Sequence, residues 1–383
     1  MCVLGHCSTL CGDLRDCELD AFCTRIPSVA PDSIGKLFRG CLPDKGLIQW
    51  SIPNLSPTST ILLPVPEGAH SASVTFNVSD TAQRVGARFI SSPTNMLLYN
   101  PCNVFDQDCD PVEDFYHQWV RHQPLLGQSV VTLPTTPMIP LEVGTYRFGV
   151  ASYLPNGTFG SAIPRITASV RIGLASLLDL HFNFLDLEDH MCESAFGNTK
   201  LDAQSALTQP FFKDQFLGEL TEIFAHGGIV VSSATYKDVL DRPLLNNLDV
   251  ADVGSLLALG DSPTGINVFF VRTLSPVGLQ AFGPNPGPVG MANTRQSGIV
   301  IGLDTLCYRT WPQVARLAAH EIARYMGLYH NVELGASTGG ESWTDHISDT
   351  DGSDRNLMYF SETGGIEITP EQRDILTRSG VLR

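Results

Sequence analysis

The sequence predicts a multidomain α+β protein with three parts in order: a cysteine-rich N-terminal module (1–45), a β-sandwich (46–172) and a C-terminal α/β domain (173–383). Cysteines crowd the start of the chain, apolar and polar residues alternate in its middle, and strand and helix patterns follow each other in its last part. Of the 383 residues, 43% are hydrophobic and 17% are charged. This balance favours packed cores over disorder.

The N-terminal module contains six of the ten cysteines: Cys2, Cys7, Cys11, Cys17, Cys23 and Cys41. A segment of about 40 residues cannot bury enough apolar surface by itself, so we expect disulfides to stabilise it. The sequence leaves the pairing open. A zinc cluster is the alternative, but the spacings are irregular and no CxxC occurs.

Four more cysteines are disulfide candidates: Cys102, Cys109, Cys192 and Cys307. A Cys102–Cys109 bond would close an acidic loop in which calcium is possible, although the loop lacks the glycine and distant glutamate of a calcium loop. Disulfides indicate an oxidising compartment, so we expect a secreted, periplasmic or cell-surface protein. The first residues do not form a signal peptide, and a lipid anchor at Cys2 is a further hypothesis.

Charge and hydropathy exclude two classes of partner. Aspartate and glutamate total 40 against 24 lysine and arginine, which gives a formal net charge of −16. Because nucleic acid is polyanionic, we expect no nucleic-acid partner. No apolar run approaches the ~20 residues of a membrane-spanning helix, so we predict no transmembrane segment.

The β-sandwich prediction depends on period-2 patterns. Val74, Phe76 and Val78 alternate with polar residues, and Tyr146, Phe148 and Val150 do the same. Proline, glycine and asparagine clusters separate these short strands, as in a sandwich.

The C-terminal domain shows another pattern. Strands are predicted at 178–184, 229–231, 266–271 and 297–303. Between the first two, an amphipathic helix is predicted with Thr208 as its N-cap, glycines at its end and an apolar stripe of Phe212, Phe216, Leu220 and Phe224.

Two capping boxes predict the last helices. Thr310 and Gln313 predict a helix that leads into His320 and Glu321, and Thr369 and Gln372 predict the final helix, with Pro370 in its first turn. Gly327 interrupts the first of these helices, and His330 follows three residues later.

The run from His320 to His330 resembles the HExxHxxGxxH signature of the metzincin zinc peptidases. Asn356-Leu357-Met358 resembles the Met-turn of this clan. This segment and Gly327-Leu328-Tyr329-His330 are closest to the pappalysin-like bacterial group. The resemblance covers about residues 173–383 and implies a zincin domain that hydrolyses peptide bonds in protein or peptide substrates. It implies that His320 and His330 bind zinc, that Glu321 is the general base, and that Gly327 and Met358 are structural.

The second ligand position, however, holds Arg324. A guanidinium has no lone pair to donate and stays protonated, so zinc binding and hydrolysis are expected to be weak or absent. Three interpretations remain: a zinc endopeptidase altered at one position, a pseudopeptidase that binds without cleaving, or a site with a substitute ligand. In the pseudopeptidase, Arg324 would pair with Glu321.

The substitute ligand would come from between His330 and Met358, where His346 and Asp349 are the nearest candidates. The same stretch contains four aspartates that we expect to form a solvated loop, with calcium binding as the alternative: Asp345, Asp349, Asp351 and Asp354.

Overall fold

A computed structural model of the chain describes residues 2–3, 6–7, 10–13, 16–101, 118–185, 187, 200–334, 342–361 and 364–383. It confirms a mixed α+β protein in which sheets predominate over a few helices. The chain forms two compact units. The first comprises Met1–Leu174, Leu334–His346 and Arg378–Gly380, and the second comprises Ala175–Glu333, Ile347–Thr377 and Val381–Arg383.

The cysteine-rich segment consists of two small antiparallel pairs. Strand β1 (Cys2–Val3) pairs with β2 (His6–Cys7), and β3 (Ala21–Pro27) pairs with β4 (Leu37–Pro43). A short 3-10 helix, Pro31–Ser33, lies between β3 and β4.

The predicted disulfide bonding is confirmed for Cys11–Cys23 and Cys17–Cys41. Cys307 is also disulfide-bonded. Cys2 and Cys7 are described only as strand residues. Cys102, Cys109 and Cys192 lie outside the described residues, as does the predicted acidic loop at 106–110.

A β-sandwich follows, as predicted. Its strands are β5 (Gly46–Ile52), β6 (Thr58–Val65), β7 (Ala69–Asn77), β8 (Arg84–Ser91), β9 (Leu97–Tyr99), β10 (Leu125–Leu126), β11 (Gln128–Leu133), β12 (Gly144–Tyr153) and β13 (Arg165–Ile172). One antiparallel sheet has the order β10-β8-β12-β6, with β9 also paired to β8, and the other has the order β11-β7-β13-β5. Phe76 and Phe148 are fully buried in the shared core, as their alternation predicted.

The second unit is built on a five-stranded sheet. Its strands are β14 (Leu177–Leu185), β15 (Val230–Val239), β17 (Ile266–Val271), β19 (Ala281–Phe282) and β20 (Ile299–Gly302), in the order β15-β14-β17-β20-β19. The first four strands are parallel and β19 is antiparallel to β20. Two shorter strands, β16 (Asn247–Asp249) and β18 (Thr273–Ser275), pair with each other. A further short strand is β21 (Val332–Leu334). The last strand, β22 (Ser342–Thr344), belongs to the first unit.

The helices are α1 (Ala203–Thr208), α2 (Gly218–His226), α3 (Val253–Leu257), α4 (Trp311–Tyr325) and α5 (Pro370–Thr377). Three 3-10 helices accompany them: Pro243–Leu245, Val250–Asp252 and Leu303–Cys307. None of the helices in the described part of the chain combines the length and the apolar character that crossing a membrane requires.

The predicted apolar stripe is confirmed, but the predicted cap is wrong. Phe212, Phe216, Leu220 and Phe224 are all fully buried. Thr208, however, is the last residue of α1, and its hydroxyl donates to the carbonyl of Gln204. A π-helical segment, Phe211–Leu217, then leads into α2. The chain is therefore already helical before Thr208, and Asp202 caps α1.

His122 is a buried histidine of the sandwich that is held neutral. Its Nε2 accepts the N–H of Ala87 at 3.0 Å, and its Nδ1 donates to the carbonyl of Val130 at 3.2 Å. Burial lowers the pKa of His122 to about 4. Protonation would remove the acceptor for Ala87 and place a charge in the core.

We therefore predict that the first unit loses stability as the pH falls from about 6.5, where an unfolded histidine titrates, to about 4. Over this window the unfolded chain binds a proton that the folded chain excludes. The expected loss is about 3 kcal/mol in the free energy of unfolding. Urea unfolding across this range measures it. His122→Gln does not titrate at this position, so its pH dependence should be flatter, and parallel curves for the two proteins would contradict the prediction.

Candidate metal centre

Helix α4 carries His320 and Glu321 on a buried face. It starts where predicted: the N–H of Thr310 donates to Oε1 of Gln313 at 2.9 Å, and the first helical residue is Trp311. Both His320 and Glu321 are 5% exposed. Two polar side chains are thus inside the unit and need partners there.

The turn at Gly327 brings the second histidine back to the first. Gly327 has a φ of 111°, a backbone conformation that residues other than glycine rarely adopt. The chain reverses there, and Nε2 of His330 lies 3.2 Å from Nε2 of His320. The structure therefore brings the two predicted zinc ligands together.

The other ring nitrogen of His320 fixes its tautomer. Nδ1 donates to the carbonyl of Leu357 at 2.8 Å, so the lone pair is on Nε2, which faces His330. Burial holds the pKa of His320 well below its usual range, and nearby His330, Arg316 and Arg324 lower it further. His320 is therefore a neutral imidazole at pH 7, and the nitrogen that carries the lone pair, Nε2, is directed towards His330.

His330 is held by the residues that follow it. Its Nδ1 lies 2.8 Å from Oε1 of Glu333, although the two groups are not aligned as a hydrogen bond. The backbone N–H of Asn331 donates to the carbonyl of Met358 at 3.1 Å. His320 and the backbone of Asn331, which follows His330, are thus attached to adjacent carbonyls, those of Leu357 and Met358.

The segment Asn356–Met358 is itself anchored to helix α5. The side-chain amides of Asn356 and Gln372 exchange two hydrogen bonds of 3.0 and 3.1 Å. The N–H of Met358 donates to Oδ1 of Asn356 at 2.8 Å, and Leu357 and Met358 are fully buried. Helix α5 begins at Pro370 with Thr369 and Gln372 in the predicted capping box.

Arg316 lies one helical turn before His320 and was not among the predicted site residues. Its guanidinium donates to the carbonyls of Leu357 (3.0 Å), Ser361 (3.1 Å) and Gly365 (3.1 Å). It is 5% exposed. An arginine on the buried face of an amphipathic helix was the available signal, since a guanidinium is buried only with many acceptors.

Arg324 contacts Glu321, as the pseudopeptidase hypothesis expected. Its Nη1 lies 3.3 Å from Oε2 and 3.4 Å from Oε1 of that carboxylate. Gly283 approaches from the other side, where an added Cβ would lie 3.2 Å from Oε2. The predicted general base is therefore paired with a permanent cation.

The donor set fits a zinc ion only in part. Two nitrogens bound to tetrahedral zinc at about 2.0–2.1 Å are about 3.3 Å apart, close to the observed 3.2 Å. Within the described part of the second unit, however, no third His, Cys, Asp or Glu joins this pair. Because Arg324 cannot ligate a metal, the residues present do not fit a catalytic zinc ion.

The proposed substitute ligands have other contacts. His346 belongs to the first unit, where its ring lies 5.2 Å from that of Trp119. Asp349 accepts from the hydroxyl of Thr369 and from the N–H of Glu371, so it supports the start of α5. Among the described residues, the four aspartates of this stretch do not form a metal-binding group.

Comparison with known proteins adds no relative. A scan against protein-family models finds no match. A search of curated proteins likewise finds no significantly similar sequence.

The Arg316 contacts lead to a prediction about stability. Arg316→Met keeps the length of the side chain but removes the charged donors from the carbonyls of Leu357, Ser361 and Gly365, which should destabilise the second unit by about 3 kcal/mol. Denaturant unfolding followed by near-UV circular dichroism measures the loss. The exposed Arg373 allows a matched control, since Arg373→Met should change stability by no more than about 0.5 kcal/mol. Equal losses in the two variants would contradict the prediction.

Proposed function

We propose that the second unit is a metallopeptidase-type domain whose zinc site is impaired by Arg324. The observation that carries this proposal is the 3.2 Å approach of the two Nε2 atoms beside the buried Glu321. This is the geometry that two zinc ligands and a general base would need. Parallel strands with one antiparallel edge strand, helix α4 and the buried segment Asn356–Met358 support the same proposal.

In the chain as it stands, the carboxylate of Glu321 is not available as a free base. A general base must reach the proton of a nucleophilic water, but Glu321 faces the guanidinium of Arg324 at 3.3 Å. Among the described residues, no third His, Cys, Asp or Glu joins the two imidazoles. We therefore propose peptide-bond hydrolysis as the chemistry for which the scaffold is built, and weak or absent hydrolysis as the property of this sequence.

A pseudopeptidase that binds extracellular protein or peptide segments is the second candidate. The pairing of Arg324 with Glu321 favours it, since the pair compensates two charges that would otherwise be costly to bury. Strand β19 ends the sheet, so its outer edge can accept an extended peptide. The disulfides of the N-terminal segment support a secreted or surface location for either candidate.

Replacement of the arginine tests the proposal. Arg324→His should complete three imidazole donors and free Glu321, so the purified protein should bind one equivalent of zinc that the parent chain lacks. It should also cleave an unfolded protein substrate in a reaction that a chelator stops. Elemental analysis and a casein-type cleavage assay measure the two effects.

Two control variants distinguish the removal of the arginine charge from the addition of a ligand, and test His346 as a ligand. Arg324→Gln removes the charge without adding a ligand, so it should gain neither zinc nor cleavage. His346→Ala in the Arg324→His protein should leave the zinc content unchanged if His346 is not a ligand. Failure of Arg324→His to bind zinc while remaining folded would overturn the proposed metallopeptidase scaffold, and stoichiometric zinc in the parent chain would overturn the proposed impairment.

A further inference from the structure

Three cysteines of the N-terminal segment place their sulfurs within the space of one metal site, and a fourth is bonded to one of them. The Sγ atoms of Cys11, Cys17 and Cys41 all lie within 4.8 Å of one another, and Cys23 is bonded to Cys11. In a tetrahedral zinc–thiolate site with Zn–S bonds of about 2.3 Å, the sulfurs are about 3.8 Å apart. Bonded as disulfides, these sulfurs are not thiolates and do not bind zinc.

Backbone contacts hold three of these cysteines together independently of the disulfides. Cys23 and Cys41 face each other in the continuous ladder of β3 and β4. The N–H of Cys11 donates to the carbonyl of Arg39 at 3.3 Å, and Leu10 forms a bridge to Gly40. Reduction of the disulfides therefore leaves the contacts that align these three cysteines.

The fourth cysteine follows a loop that is also hydrogen-bonded. The carboxylate of Asp16 accepts from the N–H groups of Gly12 and Asp13 at 2.5 and 3.1 Å, which positions the residue next to Cys17. The hairpin that carries the other sulfurs is anchored by Ile26 and Leu42, which are buried in the core of the sandwich. The thiols thus lie on a scaffold with its own apolar support.

Charged residues around the four cysteines attract a divalent cation and compensate the negative charge of a thiolate complex. The loop that carries Cys17 exposes acidic side chains, which attract a divalent ion: Asp13, Asp16, Glu18 and Asp20. Arg39 donates to the carbonyl of Gly12 at 2.8 Å, so a cation lies beside the cysteines and can offset the negative charge of a tetrathiolate.

We propose that Cys11, Cys17, Cys23 and Cys41 form a redox-gated zinc site. A small dithiol reduces the two disulfides: each takes up two electrons and two protons, and each dithiol becomes a cyclic disulfide. One Zn²⁺ then binds the four sulfurs and displaces four protons, which leaves a complex with a net charge of −2. The oxidised segment holds no metal at these sulfurs, and the reduced segment holds one ion.

Cobalt titration of the full-length chain tests this proposal. After reduction with dithiothreitol and its removal under anaerobic conditions, one Co²⁺ per chain should produce the sulfur-to-cobalt charge-transfer and visible bands of a tetrahedral thiolate site. The oxidised protein should produce neither, and Zn²⁺ should displace the cobalt. In the double variant Cys17→Ser, Cys41→Ser, cobalt affinity should fall at least 100-fold. The variant Cys102→Ser, Cys109→Ser is the matched control and should bind as the parent chain does.

Alkylation keeps the test decisive if a variant fails to fold. Zn²⁺ added to the reduced parent chain should protect these four cysteines from a maleimide, as peptide mass spectrometry would show, and leave Cys102 and Cys109 reactive. Absence of thiolate bands in the reduced chain would overturn the proposal. Unchanged bands in Cys17→Ser, Cys41→Ser, or protection of a different set of cysteines, would do so as well. The thiolate bands also distinguish this site from metal bound to imidazoles in the second unit.

Discussion

The carbonyl oxygen of Leu357 is the contact on which the candidate metal centre depends. It accepts from Nδ1 of His320 and from the guanidinium of Arg316, two donors that lie one turn apart on helix α4. A buried carbonyl with both lone pairs occupied cannot rotate away without leaving two donors unpaired. The carbonyl therefore joins helix α4 to the segment Asn356–Met358, and it fixes the orientation of the His320 imidazole.

A second constraint is the burial of charge. Removing an isolated carboxylate from water costs several kcal/mol, and Glu321 is nearly inaccessible. Arg324 offsets that cost through a contact within one turn of the same helix. The same pairing that stabilises the buried carboxylate withholds it from a water molecule, so the residue at position 324 that best compensates Glu321 is not the residue that the proposed hydrolysis would need. A histidine at position 324 could coordinate a metal ion. Without a bound ion, however, it would leave the charge of Glu321 uncompensated.

Local sequence patterns predicted the features that depend on neighbouring residues. The starts of α4 and α5 and the apolar stripe of the helix at 211–226 all depend on residues within one or two turns, and each was predicted correctly. The Thr208 cap was wrong because a cap motif does not reveal whether the preceding residues are already helical. The pairing of Arg324 with Glu321 was foreseen because the two residues are three positions apart on one helix.

The features that were missed depend on distant residues. Arg316 reaches carbonyls more than forty positions away, at Leu357, Ser361 and Gly365, and Asn356 finds Gln372 on another helix. Every residue has a backbone carbonyl whatever its side chain, so no pattern of residue types could locate these acceptors. The pairing of the disulfides was equally hidden, since each bond joins a strand of the β3–β4 hairpin to a cysteine that precedes the hairpin.

Both sulfur and imidazole clusters share one physical property: the backbone places the donor atoms before any metal arrives. His320 and the residue after His330, Asn331, are held by adjacent carbonyls, and Cys23 and Cys41 by a strand ladder. When donors are already placed, metal binding need not supply the conformational entropy of ordering them. In the two proposed sites, occupancy then depends on the chemistry of the remaining donors: a guanidinium at position 324 has no lone pair to offer a metal, and the sulfur–sulfur bonds leave no thiolates. A change in one side chain, or in oxidation state, therefore acts on a site whose geometry is already in place.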